Sequence, residues 1–407
     1  MEENMGEERG QKETGSPAAG HLLKTGKLRE AVLQRSIDKR LAGVRRTAAA
    51  REPGEPLVMQ DAVILSPFSE EEATPVSAGI LIRLAFCRMQ NRFAARGALM
   101  KTVALSVLLP ENTLEETLRG MMDELAALCR EYDVVVADGH TEVSAAVRRP
   151  VVSLTGIGFM RGAHRGEERL SGGRDGEPKD LRGTLPVIFM TGYAGSAGGG
   201  LLASLSGSNA FPEKSCRQRN RRFSEAFLAS ARADLETKQL LSLREAEILF
   251  GLGPAEPYAA RSSGSRDCLR REEQPSGTFP LYLRAMGYGG VCTALWKLAG
   301  ELHCGLTADR KKIPIRQETV ELADFYRIDP YRMDSTGCLL GAAPRDRAER
   351  AVRCLEENGF SARVIGTLTD SEDRLLVNDG EIQYLNMPQG DALGELAPAV
   401  YLNPEHE

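Results

Sequence analysis

The segment Asp138-Gly-His-Thr-Glu142 sets an imidazole, a hydroxyl and two carboxylates in a short stretch of chain, a set able to move protons or to hold a metal ion. It follows the apolar run from Val134 to Ala137, and ligand sites of α/β folds tend to lie at the carboxyl ends of strands. Two readings stand on the residues alone. In one, His140 and Glu142 form a general acid/base pair; in the other, the segment is an ordinary polar turn. The basic segment from Lys214 to Arg222 has one aromatic neighbour, Phe223. It lacks the interleaved stacking platform of single-strand nucleic-acid binders and reads as a solvated loop.

Hydrophobic periodicity supplies the scaffold for these groups. Apolar segments from Ala62 to Leu65 and from Thr102 to Leu109 read as strands. Thr113-x-x-Glu116 has the form of a capping box ahead of Leu114, Leu118, Met121, Leu125 and Leu128, which share a helical face. A strand around Val151 to Leu154 completes a compact α/β unit that ends near residue 160. Arg161 to Gly183 is charged, glycine-rich and aperiodic, as a loop or linker is. Beyond it, Pro186 to Met190 predicts a strand, Ser224 to Leu235 and Leu243 to Phe250 predict helices, and Pro254 to Gln274 has loop composition. Leu295, Leu298 and Leu302 stripe another helix. Strands at Cys338 to Ala342 and Ala362 to Leu368 flank a helix ending at Asn358-Gly359, and Asp379-Gly380 turns a hairpin over 375–384. The expected division is a tail over 1–20, a first domain over 21–160, a linker over 161–183, a second domain over 184–395 and a tail over 396–407. The tail 1–20 and much of the linker lack periodic apolar positions and are expected to be mobile.

A chain of 407 residues, 42% of them apolar, can bury two cores. The formal net charge of −5 comes from 52 basic and 57 acidic residues mixed along the sequence, so no global field draws in nucleic acid. Eight cysteines (87, 129, 216, 268, 292, 304, 338 and 354) contain no C-x-x-C pair, which points to a reducing cytoplasm rather than a zinc knuckle or disulfide scaffold. The first residues are acidic and lack an apolar signal core. No charge occurs between Arg182 and Glu213, long enough to span a bilayer. The glycines of Thr191 to Gly200 favour a buried strand and a glycine loop instead. From Lys27 to Arg46, Leu33, Ile37, Leu41 and Val44 predict an amphipathic basic helix docked on the first domain.

The longer string from Gly139 to Gly158 resembles the Gly-His-Thr-Glu-Val segment of the aminoimidazole ribonucleotide (AIR) synthase superfamily, in its hydrogenase-maturation, HypE-like branch. The resemblance continues through Gly26 to Leu33, Leu109-Pro-Glu111, Tyr288 to Ala299, Ile313 to Thr319, Ile328 to Leu340 and Val364-Ile-Gly366, and so covers most of the chain. It implies a two-domain PurM-like α/β (α+β) architecture: an amino-terminal mixed sheet that dimerises, and a carboxy-terminal α/β sandwich with nucleotide at the junction. It also implies ATP-dependent phosphorylation of an amide or carbonyl oxygen, with Mg2+ held by carboxylates, a homodimer, and a maturation-type protein partner. Neither a nucleic acid nor a membrane is implied.

The departures fall on acids. Ser66-Pro67 stands where the family carries Asp-Pro, Asn91-Arg92 where it carries Asn-Asp, and Arg284 to Gly290 where it carries Asp-Pro-Thr-Glu-Gly-Gly. A guanidinium in place of a metal-binding carboxylate changes the local charge by about two units and repels magnesium. By the resemblance, Gly139, Thr141, Asn91, Arg92, Gly289 and Gly290 are candidates for nucleotide or phosphate binding. Glu142 and Asp61 remain as metal candidates, Asp61 being equally alignable as a turn residue. Gly289 and Gly290 leave room for an anion at a helix N-terminus, or serve tight packing. The chain also ends without the cysteine that HypE presents at its carboxyl terminus; Cys354 is the last one. The sequence therefore predicts a diverged member with weak or no catalysis that still binds a nucleotide or a partner protein. The alternative is an active ATP-dependent ligase or dehydratase built on a rearranged site.

Overall fold

The computed structural model describes residues 56–64, 75–161, 185–205, 213–251, 282–388 and 390–396. The basic helix expected over 27–46, Ser66-Pro67, the linker expected over 161–183, the loop expected over 254–274 and both expected tails fall outside these residues, apart from Arg161 and Leu396.

The amino-terminal part is a four-stranded sheet in the order β1-β4-β2-β3, made of β1 (Leu57–Ile64), β2 (Ala98–Leu109), β3 (Val135–Val143) and β4 (Val151–Met160). β4 is antiparallel to β1 and β2, whereas β3 runs parallel to β2. Two helices, α1 (Pro75–Ala94) and α2 (Glu115–Glu131), cover one face. Leu57, Met59, Val103, Leu105, Val107, Val152 and Leu154 from the strands meet Ile82, Phe86, Met89 and Phe93 of α1 and Met121, Leu125 and Leu128 of α2 in one core. Gly156 and Gly158 let α1 approach this closely, because a Cβ at either would run into the Phe93 ring. The other face carries half-exposed or exposed residues, among them Val58, Gln60, Ala62, Ser106, Ser153 and Ile157.

α1 has no polar stripe in its middle: Leu81, Ile82, Leu84, Ala85, Phe86, Cys87 and Met89 are all buried. The helix lies between the sheet and the carboxy-terminal part and also contacts α6 (Thr237–Leu240), α7 (Leu243–Phe250) and β6 (Tyr282–Ala285). A helix buried on most sides gives no 3.6-residue alternation to read, which is why the sequence reading has no helix there.

The carboxy-terminal part is a seven-stranded mixed sheet, ordered β11-β10-β7-β9-β5-β8-β6. Its remaining strands are β5 (Val187–Thr191), β7 (Gly305–Asp309), β8 (Leu339–Ala343), β9 (Ala362–Thr369), β10 (Arg374–Asn378) and β11 (Glu381–Tyr384). Helices α3 (Ser196–Ser204), α4 (Glu213–Arg222), α5 (Glu225–Arg232), α8 (Gly290–Leu302), α9 (Gln317–Tyr326) and α10 (Arg345–Glu357) complete it. The Asp379-Gly380 turn joins β10 to β11 with φ of 53° and 83°, as the sequence predicts. The uncharged stretch after Arg182 forms the fully buried β5 and the short α3, and no described helix is long and apolar enough to cross a membrane.

Three expectations are corrected. Asp138 to Glu142 is the second half of β3, not a turn; β3 is the last strand of its sheet and is exposed along its whole length. Lys214 to Arg222 belongs to the helix α4, whose Arg219 is buried and donates through Nη1 to the Leu202 carbonyl (2.8 Å). The capping box does not form: Leu114 occupies the N-cap of α2, while the Thr113 hydroxyl donates to the Pro110 carbonyl (2.7 Å).

Candidate functional site at the domain junction

Arg88, Asn91 and Arg92 fall at i, i+3 and i+4 on α1 and so share one face of the helix. Arg88 and Asp334 form a buried ion pair through Nη2 and Oδ2, with residue exposures of 7% and 2%. The pair sits in a closed network. Arg88 Nε donates to the Thr336 hydroxyl (3.1 Å), and both the Thr336 hydroxyl (2.6 Å) and its backbone N–H (2.8 Å) donate to Asp334 Oδ1. Burial lowers the guanidinium pKa, opposed by the nearby charges of Asp61 and Asp391.

Asn91 is fully buried and bridges backbone: Nδ2 donates to the Leu240 carbonyl (2.7 Å) and Oδ1 accepts from the Ser242 N–H (2.9 Å). Its amide thus fixes the turn between α6 and α7. Arg92 donates through Nη1 to the Gln60 carbonyl (2.8 Å). Burial lowers its pKa too, with Asp61 opposing that shift and Arg284 adding to it. Asp61 is a strand residue of β1, not a turn residue. It pairs with Leu154, and its charge acts on both Arg88 and Arg92.

On the other side of the junction, Gly287-Tyr-Gly-Gly290 leads into α8. Gly289 and Gly290 have φ of 77° and 62°, which favours glycine. A Cβ on Gly290 would meet the carbonyl oxygens of Tyr331 and Met333, and one on Gly289 the Thr293 hydroxyl, so tight packing occupies the space around this turn. The Gly289 N–H is already taken: it donates to Asp391 Oδ2 at 2.8 Å, and burial raises the pKa of that carboxyl group against the opposing pull of this N–H. Arg284 is ion-paired with Glu301.

The remaining candidates lie elsewhere. Gly139, His140, Thr141 and Glu142 are on β3, at the opposite edge of the sheet from β1. His140 Nε2 and Glu142 Oε2 are 3.2 Å apart and exposed, in register with Ser106 and Leu108. Three interstrand spacings, roughly 14 Å, separate β1 from β3. Within one chain, Asp61 and Glu142 are therefore too far apart to share one cation. The residues at the junction do not fit a carboxylate-bound magnesium either, because Asp334 is committed to Arg88, Glu301 to Arg284, and Asp391 to a backbone N–H. Among the described residues, no three His, Cys, Asp or Glu side chains converge as a metal site.

Sequence reasoning singled out Asp61, Asn91, Arg92 and the glycine turn, which lie at the junction, and did not single out Arg88, Asp334, Thr336 and Asp391. Arg88 lies one helical turn before Arg92, a usable signal had α1 been recognised. Asp391 has no motif of its own.

Comparison with known proteins agrees with this architecture. The family model described as the AIR synthase related protein, N-terminal domain, matches residues 83–160, and that of the C-terminal domain matches residues 283–378. A putative hydrogenase expression/formation protein of Methanocaldococcus jannaschii is 23% identical over 320 residues, covering 77% of this chain and 78% of that protein. The carbamoyl dehydratase HypE of Azotobacter vinelandii is 29% identical over 96 residues, 23% of this chain and 28% of the relative. Among solved structures, E. coli HypE, a hydrogenase maturation protein, superposes with a TM-score of 0.57 at 18% identity, covering 85% of this chain and 89% of that one. A HypE structure in complex with ATP gives 0.57 at 18% identity, covering 90% and 96%.

Proposed function

The chain is an AIR synthase-related, HypE-like protein with the PurM-like fold, and from that premise we propose that it is a diverged member. On this reading it binds a nucleotide or another phosphate-bearing ligand where its two domains meet, with phosphoryl transfer weak or absent. One observation carries the proposal: acids at the junction are matched by arginines or backbone N–H groups, Asp334 by Arg88, Glu301 by Arg284 and Asp391 by Gly289, while Arg92 stands beside Asp61. Metal-assisted transfer needs carboxylates available to a cation. An anionic ligand needs only the guanidiniums and N–H donors. ATP is the first candidate ligand because a HypE neighbour was solved with it.

The test is calorimetric titration with ATP, with and without magnesium, alongside phosphate release. The expected result is binding that does not require magnesium, with turnover far below the ~1–10³ s⁻¹ of ordinary enzymes. Magnesium-dependent turnover near ~1 s⁻¹ would overturn the reading. The contact of His140 with Glu142 favours a second reading, an active enzyme using this pair for proton transfer. Loss of such turnover in Glu142→Ala would establish it.

We also propose a homodimer formed through the open face and free edge of the amino-terminal sheet. β3 is exposed throughout, and Val58, Val135, Val136, Val143, Phe159 and Met160 add exposed apolar surface. A maturation-type protein partner belongs to the same proposal, since another HypE neighbour was solved in complex with HypF. The described cysteines are free thiols, and this supports a cytoplasmic location.

A further inference from the structure

We propose that the joint between α1 and α7 is a reversible latch: when the last turn of α1 draws Asn91 back, Ser242 and Glu245 close a capping box at the start of α7 in its place. Ser242-Leu-Arg-Glu245 has the spacing of that motif, with Ser242 at the N-cap of α7 and Glu245 at the third helical position. In a closed capping box the serine hydroxyl accepts from the glutamate N–H, and the glutamate carboxylate accepts from the serine N–H. Here the same four groups are present with their partners exchanged. The Ser242 N–H donates to Asn91 Oδ1 (2.9 Å). The Glu245 N–H is taken by its own carboxyl group. The hydroxyl of the fully buried Ser242 has no hydrogen-bond partner.

Another serine of this chain shows the working cap. Ser224 starts α5 with φ −70° and ψ 157°, and its hydroxyl accepts from the Phe227 N–H (3.2 Å). Ser242 starts α7 with φ −118° and ψ 30°, outside the extended region that N-cap residues use. Asn91 accounts for the difference. Its Nδ2 holds the Leu240 carbonyl (2.7 Å) while Oδ1 holds the Ser242 N–H, so the amide pins the chain on both sides of Leu241. Release of the amide frees Ser242 to turn toward the conformation of Ser224. The Ser242 and Glu245 N–H groups then keep partners and the buried hydroxyl gains one, so the helix start is satisfied with the joint closed or open. Glu245, 7% exposed in the closed joint, also exchanges a dry position for the helix N-terminus, where a carboxylate is favoured.

Ser242→Ala tests the latch because its expected effect depends on Asn91. In the unmodified protein the hydroxyl bonds nothing, so its removal leaves the unfolding equilibrium unchanged or moves it toward the folded state. In the Asn91→Ala background the box is in use, and the same substitution moves the equilibrium about fivefold toward the unfolded state. Urea unfolding of the full chain at neutral pH, carried through the parent, both single variants and the double variant, reads the two effects. Amide exchange supplies a second measurement: Ser242→Ala leaves exchange at Glu245 unchanged in the unmodified protein and speeds it about fivefold in Asn91→Ala. If Asn91→Ala does not fold, Asn91→Ser, whose hydroxyl can return to a carbonyl of its own helix, serves as the background. A loss of stability from Ser242→Ala in the unmodified protein, or an equal effect in both backgrounds, overturns the proposal.

Discussion

Glu245 offers the sharpest energetic test of the junction. It lies in the first turn of α7, directly after the turn that Asn91 holds, and is 7% exposed. Burial pushes its pKa from 4.5 up to about 8, with its own backbone N–H opposing the shift. A folded-state pKa above the unfolded one means that the group's contribution to stability is full below pH 4.5 and is lost as pH rises through 8. At 1.36 kcal/mol per unit, a shift of about 3.5 units corresponds to roughly 4–5 kcal/mol at most. Glu245→Gln keeps the shape and removes the titration. Urea unfolding followed by the fluorescence of Trp296, the single tryptophan, should give a stability difference between variant and parent close to zero near pH 4.5. That difference should grow in the variant's favour by about 4 kcal/mol by pH 9. Parallel pH profiles would refute the reasoning, since they would place the carboxylate in contact with water or with an unrecognised cation.

Other substitutions probe the same junction. Arg88→Met strands Asp334 in the interior and should cost about 3–5 kcal/mol, most of it recovered in the Arg88→Met/Asp334→Leu double variant; a double variant as unstable as the single one would rule out an uncompensated charge as the cause. Asn91→Ala should lose roughly 1–3 kcal/mol and speed amide exchange at Ser242 without changing ATP affinity. Weaker ATP binding at unchanged stability would instead make Asn91 a ligand. Phe159→Glu puts a charge on exposed apolar surface of the amino-terminal sheet and should turn a dimer into a monomer by light scattering at micromolar concentration, whereas an unchanged mass would locate the interface elsewhere.

Secondary structure was legible wherever one face of an element is wet and the other dry. Met121, Leu125 and Leu128 mark α2, Leu295 and Leu298 mark α8, and Asp379-Gly380 marks the last hairpin. The signal failed at both extremes of exposure. α1 is dry on most sides and β3 is wet on both, so neither alternates. The glycine turn and the Asn91-Arg92 pair were visible only through family resemblance. What they touch was not, because the partners are remote in sequence: Arg88 meets Asp334 across 246 positions, Asn91 meets Leu240 across 149, and Gly289 meets Asp391 across 102. Spacing along one segment cannot report such pairings.

On the proposed reading, these remote pairings also bear on why the acids and the catalysis would be lost together. A carboxylate that helps a metal transfer phosphate must exchange partners during the cycle, so it has to stay partly hydrated. A carboxylate that joins two domains is most effective when dry and fully hydrogen-bonded, because removing its partner then leaves a buried charge that costs several kcal/mol. Asp334 is of the second kind, with Arg88 and Thr336 filling its coordination at 2% exposure. Arg92 extends the same surface by tying α1 to the Gln60 carbonyl of β1 beside Asp61. Each arginine that fastens α1 also raises the electrostatic cost of a divalent cation at the junction and lowers that of an anion. On the proposed reading, a junction held this way keeps affinity for phosphate while giving up the magnesium that would make phosphate react.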